Sequence, residues 1–257
     1  GLIESWRGTG AVYAAELGRD SIPVRNEMMA NGVIVRPIST CLAICPPLII
    51  TDDEVERLID NYVTAARLAR DVGFRFVDIK SCHGYLLHEF LSARIRPGKF
   101  GGDFAGRTRL LKTIIARVRN EVPEVMVCCR LSVFDFVPYK TSRTTGQPMP
   151  FEHLLPYEFG FGVDPDHPLN IDLTEPLQLI RDLIDWGVVA LNISGGSPYY
   201  NPHIQRPAFF PPSDGYQPPE DPLSGVARQI HVARKCKQAA GDVPVVGSGF
   251  SYLQDYL

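Results

Sequence analysis

The stretch Val77-Asp78-Ile79-Lys80-Ser81-Cys82-His83-Gly84-Tyr85 decides the fold class of this chain. An apolar run ends within it, and three side chains that can handle protons, Lys80, His83 and Tyr85, stand together at its end. In α/β barrels, buried parallel strands are continuous apolar runs and the chemistry lies just past their carboxyl ends. We therefore expect the functional site around these three residues.

Each of the three residues also has a structural interpretation. A lone histidine near a strand end is often a hydrogen-bonded structural residue, and Tyr85 could be the first aromatic residue of the next helix. Lys80 is harder to explain in this way, because an ammonium group rarely lies at the end of a buried strand without a partner or a task. Lys80 therefore carries the stronger functional signal.

Strand-like and helix-like segments alternate from Thr51 onward. The capping box 51–54 starts a helix, Gly73 ends it, and a strand over 74–79 follows. A later helix is predicted to be capped by Thr174. Three further units of this kind lead to strands over 125–131, 188–193 and 243–246. The pattern predicts four βα repeats, and hence an α/β fold with a parallel sheet or barrel.

The first fifty residues are less regular. Segments 11–17 and 33–38 are predicted strands, but neither is followed by a convincing helix. We treat 1–257 as one partial barrel domain in which 1–50 has no firm assignment. Two long loops, 134–170 and 197–221, follow predicted strands, and loops of this length usually cover a site, with an excursion that has no function as the alternative.

The composition is that of an ordinary enzyme-sized domain. The chain has 257 residues, 45% of them hydrophobic, and a formal net charge of -3, which does not favour nucleic-acid binding. No apolar run approaches the roughly 18 residues that a membrane span needs, and no leader resembles a signal peptide. We expect a cytoplasmic protein with a small-molecule substrate and no nucleic-acid or membrane partner, and we leave a homo-oligomer open.

The cysteines do not predict a disulfide framework or a metal site. There are six of them, two adjacent, in a chain much longer than disulfide-rich domains usually are. Cys41 and Cys45 form a CxxxC motif, but no second pair of ligands at zinc or cluster spacing accompanies it. We therefore expect no bound metal.

Five segments carry a resemblance to a known family, and they are 77–92, 96–102, 107–109, 127–132 and 245–249. Together they resemble the Old Yellow Enzyme family, the FMN-dependent NADH:flavin oxidoreductases. The likeness extends from about residue 51 to 257, roughly four-fifths of the chain. It implies a (β/α)8 TIM barrel, FMN as cofactor, NAD(P)H as reductant, and transfer of hydride through the flavin to an activated alkene or a related electron-poor substrate.

The resemblance implies catalytic roles for three residues. Tyr85 matches the tyrosine that donates a proton to the substrate carbon opposite the hydride. His83 matches the second member of a pair that hydrogen-bonds the substrate's carbonyl or nitro group, while Lys80 stands where the first member is usually histidine. The physics agrees with these roles, because hydride addition builds negative charge on the electron-withdrawing group and fixed donors stabilise it.

The resemblance also implies the cofactor-binding residues. Arg130 matches the arginine beside the electron-rich edge of the flavin, and Gly247, Ser248 and Gly249 match the loop that holds the FMN phosphate. The segment Glu16-Leu17-Gly18-Arg19 is similar, in shortened form, to a family segment beside the flavin, which makes Glu16 a cofactor-binding candidate. The family's first strands are not recognisable and its eighth strand is missing, so we expect an incomplete TIM barrel that binds FMN weakly or not at all.

Two other functions stay open at this point. A lysine at a barrel strand end beside a tyrosine and a histidine would also suit a Schiff-base lyase that uses Lys80. The second alternative is a catalytically inert, truncated fragment. A yellow preparation would favour the flavin enzyme, and a borohydride-trapped adduct on Lys80 would favour the lyase.

Overall fold

The structure is a computed structural model that describes residues 3–9, 12–30, 36–44, 50–142, 145–208 and 216–250. The chain divides into two compact units, Gly1–Glu54 and Val55–Leu257. The expectation of one domain over the whole chain stays a prediction.

The first unit contains a four-stranded antiparallel sheet with the order β1-β2-β4-β3. Its elements are β1 (Ser5–Thr9), β2 (Val12–Glu16), α1 (Ile22–Ala30), β3 (Arg36–Ile38) and β4 (Cys41–Ile44). The strands predicted over 11–17 and 33–38 correspond to β2 and, in part, to β3. Expecting no helix in this region was wrong, because α1 follows β2; its apolar residues do not gather on one face, so periodicity could not reveal it.

The second unit is built from βα repeats. The remaining elements of the chain are α2 (Asp52–Asp71), β5 (Phe76–Ser81), α3 (Leu86–Leu91), α4 (Phe104–Glu121), β6 (Met126–Ser132), β7 (Tyr139–Ser142), β8 (Thr145–Pro148), a short 3-10 helix (Glu152–Leu154), α5 (Thr174–Asp185), β9 (Ala190–Ser194), α6 (Pro202–Gln205), α7 (Pro222–Ala240) and β10 (Val245–Val246). Strands β5, β6, β9 and β10 form one sheet in the order β10-β9-β6-β5, and all of its pairs are parallel. This confirms the predicted α/β class. Within the part of the chain that is described, β5 and β10 are open edges, as expected of an incomplete barrel.

The register of the parallel strands decides which side chains share a face. Lys80 pairs with Arg130, and Arg130 pairs with Asn192, so three polar side chains form a row across the sheet. Asp78 and Cys128 form the row before it. Because side chains alternate along a strand, the intervening residues point to the opposite face. The buried residues of that face are Ile79, Ser81, Val127, Cys129, Leu131, Leu191 and Ile193.

The helix ends follow local capping chemistry, with one correction. The predicted box at the start of α2 forms, since Glu54 Oε2 accepts from Thr51 N at 2.8 Å. Thr174 does not cap α5 as predicted, because the helix already includes it. The Asp172 carboxylate accepts instead from the Thr174 amide at 2.9 Å and from its hydroxyl at 2.6 Å. The N-cap position is thus Leu173, one residue earlier than predicted, and Asp172 before it supplies the acceptor that the Leu173 side chain lacks.

The long loop over 197–221 is partly packed. His203 and Tyr216 are buried, and their side chains share a hydrogen bond of 2.7 Å between Nδ1 and the hydroxyl. The Tyr139 ring of β7 packs against both, with its centroid 4.6 Å from that of His203. Two aromatic residues of this loop therefore serve packing, which leaves Tyr199 and Tyr200 nearest the strand end.

The described ranges contain neither a cluster of metal ligands nor a membrane-spanning helix. Of the cysteines there, Cys82, Cys128, Cys129 and Cys236 are free thiols and the Cys41 thiol donates to Glu16, whereas Cys45 of the CxxxC motif lies outside those ranges. No group of three or more metal-ligating side chains was found in them. None of their helices is long and apolar enough to cross a membrane.

Candidate active site at the carboxyl end of the parallel sheet

A left-handed turn follows β5 and sets the site residues in place. His83 has a φ of +62° and Gly84 a φ of +68°. This conformation is uncommon for a residue with a side chain, and it persists where surrounding contacts hold it. The His83 amide donates to Ser132 Oγ at 3.1 Å, and Ser197 Oγ donates to the His83 carbonyl at 3.3 Å. The turn is thus tied to the ends of two neighbouring strands.

The His83 imidazole bonds a neighbouring strand. Its Nε2 lies 2.6 Å from Ser194 Oγ at the end of β9. Burial first, and then the positive charges of Lys80 and Arg130, lower the pKa of His83 to about 4. The ring is therefore neutral near pH 7, and Ser194 occupies one of its two nitrogens. Among the described residues Nδ1 has no partner, so it is the nitrogen open to a ligand.

Lys80 and Tyr85 are in direct contact. The Lys80 ammonium lies 3.3 Å from the centroid of the Tyr85 ring, which is a close cation–π contact. No carboxylate in the described ranges forms a salt bridge with Lys80. The charge of Lys80 is therefore not neutralised there by an acidic side chain.

The Tyr85 hydroxyl meets a tyrosine from the loop after β9. Tyr85 Oη and Tyr199 Oη are 2.8 Å apart, and either can be the donor. Tyr85 is 40% exposed and Tyr199 is 45% exposed, so the pair is accessible from solvent. Tyr199 lies in the predicted long loop over 197–221, but no motif indicated it as a partner of Tyr85.

The Arg130 guanidinium has one nitrogen in an ion pair and one buried nitrogen without a hydrogen-bond partner among the described residues. Its Nη2 lies 3.2 Å from Asp78 Oδ2, in an ion pair that neutralises much of its charge. Its Nε is buried and has no partner within the described residues. A buried N–H without an acceptor is costly, so this geometry suits a ligand that accepts a hydrogen bond. The orphaned atom fits the edge of a flavin.

The segment after β10 presents backbone donors. The amides of Gly247, Ser248 and Gly249 donate to no acceptor within the described ranges. Gly249 adopts a left-handed φ of +91°, and Ser248 Oγ donates to the Ile193 carbonyl at 2.6 Å, which fixes the loop to β9. Successive free amides in a turn form an anion site, so this segment fits a phosphate. The affinity of the chain for FMN stays a prediction.

Glu16 lies in the first unit. Its two carboxylate oxygens accept from the Gly18 amide at 3.2 Å and from the Cys41 thiol at 2.7 Å. Its expected role beside the flavin is neither supported nor contradicted by these contacts, and it stays a prediction.

Sequence reasoning missed a buried group of titratable residues next to the turn. His88 Nδ1 accepts from the Gly84 amide at 2.9 Å, and burial lowers the pKa of His88 to about 4. Burial raises the pKa of Glu89 to about 7 and that of Asp135 to about 6, and the charge of Asp135 adds to the shift of Glu89. Asp135 also accepts from Asn201 Nδ2 at 2.7 Å. His88 and Glu89 stand in the family-like segment, but only burial marks them as unusual.

A comparison with protein families now decides what this site belongs to. The model of the NADH:flavin oxidoreductase / NADH oxidase family matches residues 18–149, more than half of the chain. The chain belongs to this family. The match confirms the resemblance to the Old Yellow Enzyme family, and the cofactor of this family is FMN. It begins at residue 18, so the family's pattern covers much more of the first fifty residues than the short segment at Glu16 that the sequence analysis had identified.

Several relatives of this NADH:flavin oxidoreductase family member extend the comparison. An NADH:flavin oxidoreductase of Gibberella zeae is 26% identical over 251 residues, covering 96% of this chain and 50% of the relative. An NADPH dehydrogenase of Clostridium acetobutylicum is 30% identical over 155 residues, covering 59% of this chain and 38% of the relative. The chain thus spans 50% of the length of the first relative and 38% of the length of the second. A solved 2-naphthoyl-CoA reductase is 21% identical, with a TM-score of 0.48 over 83% of this chain and 26% of that one.

Proposed function

We propose that this family member is an FMN-dependent oxidoreductase that transfers hydride from NAD(P)H, by way of the flavin, to an activated alkene. One observation carries the proposal: the accessible Tyr85 ring lies against the Lys80 ammonium, and Lys80 stands on β5 directly beside Arg130 of β6. This arrangement supplies a proton donor, a cation for developing negative charge, and a buried donor for the cofactor. Family membership favours this function over a Schiff-base lyase.

Two groups of donors would hold the cofactor. The Arg130 Nε would bond the edge of the flavin, and the amides of 247–249 would bond its phosphate. Bound FMN supplies the hydride acceptor and donor that protein side chains lack. Substrate binding and proton donation would be carried out by side chains of this chain.

The substrate's electron-withdrawing group would bind at Lys80 and His83. Hydride addition to a carbon–carbon double bond moves an electron pair toward that group, and a fixed cation stabilises the resulting charge. Lys80 is a flexible point charge with donors only, and no described carboxylate neutralises it. We infer that an α,β-unsaturated carboxylate suits the site better than a neutral ketone. His83, which is neutral, would orient the same group through Nδ1.

Tyr85 would complete the reduction as general acid. Its O–H bond breaks as a C–H bond forms at the second alkene carbon, so one hydride and one proton are added in total. The phenolate that remains lies against the Lys80 ammonium, whose positive charge stabilises it. Water restores the proton at the end of the cycle.

The experiment separates the two half-reactions. The chain is loaded with FMN, reduced by NADH or NADPH without oxygen, and then mixed with an alkene such as a cinnamate, while the flavin absorbance is followed. The Tyr85→Phe variant should slow reoxidation by the alkene by about 10²–10⁴-fold, typical of a lost general acid, and leave reduction by NAD(P)H unchanged. Equal loss in both half-reactions would contradict the role of Tyr85. Failure of every activated alkene to reoxidise the flavin would contradict the function.

The finer statements about the whole protein are also proposals. NADH or NADPH as the preferred reductant, a cytoplasmic location and homo-oligomerisation rest on the sequence analysis alone. The same reductive half-reaction, run with each nucleotide, decides the first of them.

A further inference from the structure

We propose that Tyr199 is a positioning residue that orients the Tyr85 hydroxyl toward the substrate and returns a proton to it after each turnover. The inference rests on the proposed function, because it assigns a task to Tyr199 within that reaction. It starts from the contact between the two tyrosine hydroxyls, 2.8 Å apart.

The direction of this hydrogen bond decides what Tyr85 can do. If Tyr199 donates, the Tyr85 oxygen accepts, and this bond does not use the Tyr85 proton, which Tyr85 can then donate to a ligand. The same bond becomes stronger once Tyr85 has lost its proton, because hydrogen bonds to a charged oxygen are stronger than neutral ones. Tyr199 therefore stabilises the Tyr85 phenolate more than the neutral Tyr85 hydroxyl. A group that stabilises the charge formed during proton transfer more than the starting state speeds that transfer.

The two tyrosines are held by one turn. The Tyr199 amide donates to Ser197 Oγ at 3.2 Å, and Ser197 Oγ donates to the His83 carbonyl at 3.3 Å. Ser197 is fully buried, and its amide donates to Asn201 Oδ1 at 2.7 Å. The loop that carries Tyr199 is thus fastened to the turn that carries Tyr85. Their rings also meet edge to face, with centroids 5.9 Å apart and an interplanar angle of 60°.

The exposure of Tyr199 to solvent allows it to return a proton to Tyr85. With 45% of its surface exposed, Tyr199 can exchange protons with water, while an alkene bound at Lys80 would cover part of Tyr85. The proton balance is then closed. Tyr85 O–H gives its proton to carbon, Tyr199 O–H gives its proton to the Tyr85 phenolate, and water reprotonates Tyr199.

A double-mutant cycle on the FMN-loaded chain tests the proposal. Tyr199→Phe should slow alkene-dependent reoxidation by about tenfold, the effect of one hydrogen bond to a charged group, and leave reduction by NAD(P)H unchanged. In the Tyr85→Phe background the same change should have no further effect, because its partner is gone. Tyr200→Phe is the matched control, since it removes a hydroxyl from the next residue of the same loop, and it should leave both rates unchanged.

A second readout needs no flavin. Tyrosines labelled with ¹³C at Cζ give one resonance each, and the Tyr85→Phe variant identifies that of Tyr85. Tyr199→Phe should move this resonance, and Tyr200→Phe should not. If the Tyr85 resonance stays in place, or if the two rate losses multiply in the double variant, the role of Tyr199 is wrong while the proposed function stands. If the wild-type chain reduces no alkene, both proposals fail.

Discussion

Nζ of Lys80 lies 3.3 Å from the centroid of the Tyr85 ring, so the charge of one site residue rests on the face of another. The two residues are five positions apart, on either side of the left-handed turn at His83 and Gly84. A lysine here does what a neutral imidazole cannot, because it brings a full positive charge to the side chain that gives up a proton. The proposed preference for a carboxylate substrate can therefore be tested by removing the Lys80 charge.

The Lys80→Met variant should change substrate preference more than overall activity. A charge-assisted hydrogen bond contributes about 1.5–3 kcal/mol, so kcat/KM for an unsaturated carboxylate should fall roughly 10–100-fold. Both substrates should lose the stabilisation that Lys80 gives to the Tyr85 phenolate, and the ketone of the same carbon skeleton should lose less in total because it has no carboxylate to pair with Lys80. Lys112→Met, on the exposed side of α4, is the control and should alter neither value. Equal losses on the two substrates would show that Lys80 does not read the carboxylate.

His88 should make the folded chain sensitive to acid. Its pKa is lowered to about 4 from an ordinary value of 6.5, so between those pH values the unfolded chain binds more protons than the folded one. Stability therefore rises with pH through this window, is complete above it, and is lost as the pH falls toward 4. His88→Asn keeps an acceptor for the Gly84 amide but does not titrate. Urea unfolding at pH 4.5, 5.5 and 6.5 should show a shallower pH dependence in this variant, and an unchanged slope would contradict the assignment.

Glu89 should act in the opposite direction. Its pKa is raised to about 7, first by burial and then by Asp135, from an ordinary value of 4.5. The folded state therefore binds more protons than the unfolded chain, and stability is lost as the pH rises from about 4.5 to 7. Glu89→Gln removes this loss, and its free energy of unfolding relative to wild type should increase by on the order of 1–3 kcal/mol between pH 4.5 and pH 8. A difference that does not vary with pH would refute this.

The sequence predicted the elements of the site better than their partners. The sequence identified the site residues Lys80, His83 and Tyr85 because the strand end and the family-like motif both lie within the nine residues 77–85. The partners Ser194 and Tyr199 lie 111 and 114 residues away from His83 and Tyr85, and only the strand register brings them together. Helix α1 was missed for a different reason, because its residues have no apolar stripe to detect.

The family-like motif 107–109 shows that a recognised motif does not by itself reveal what its residues do. Arg107 is 1% exposed, and its Nη2 lies 2.6 Å from Glu175 Oε1. Its other nitrogens donate to the Leu91 carbonyl at 2.6 Å and the Gly102 carbonyl at 3.0 Å. The motif therefore joins α3, the loop before α4 and α5 around one buried charge. Its described contacts are structural.

Removal of Glu175 should accordingly be among the most destabilising single changes away from the site. Glu175→Ala leaves the Arg107 charge buried without a counter-ion, and breaking a buried pair from one side costs about 3–5 kcal/mol. Glu175→Gln keeps a hydrogen-bond acceptor and should lose less. The control is Glu56→Ala, which breaks an exposed pair with Lys99 at 3.1 Å and should cost at most about 1 kcal/mol. Denaturant unfolding of the three variants at pH 7 measures the differences. A loss for Glu175→Ala no larger than that for Glu56→Ala would mean that the two carbonyls alone satisfy Arg107.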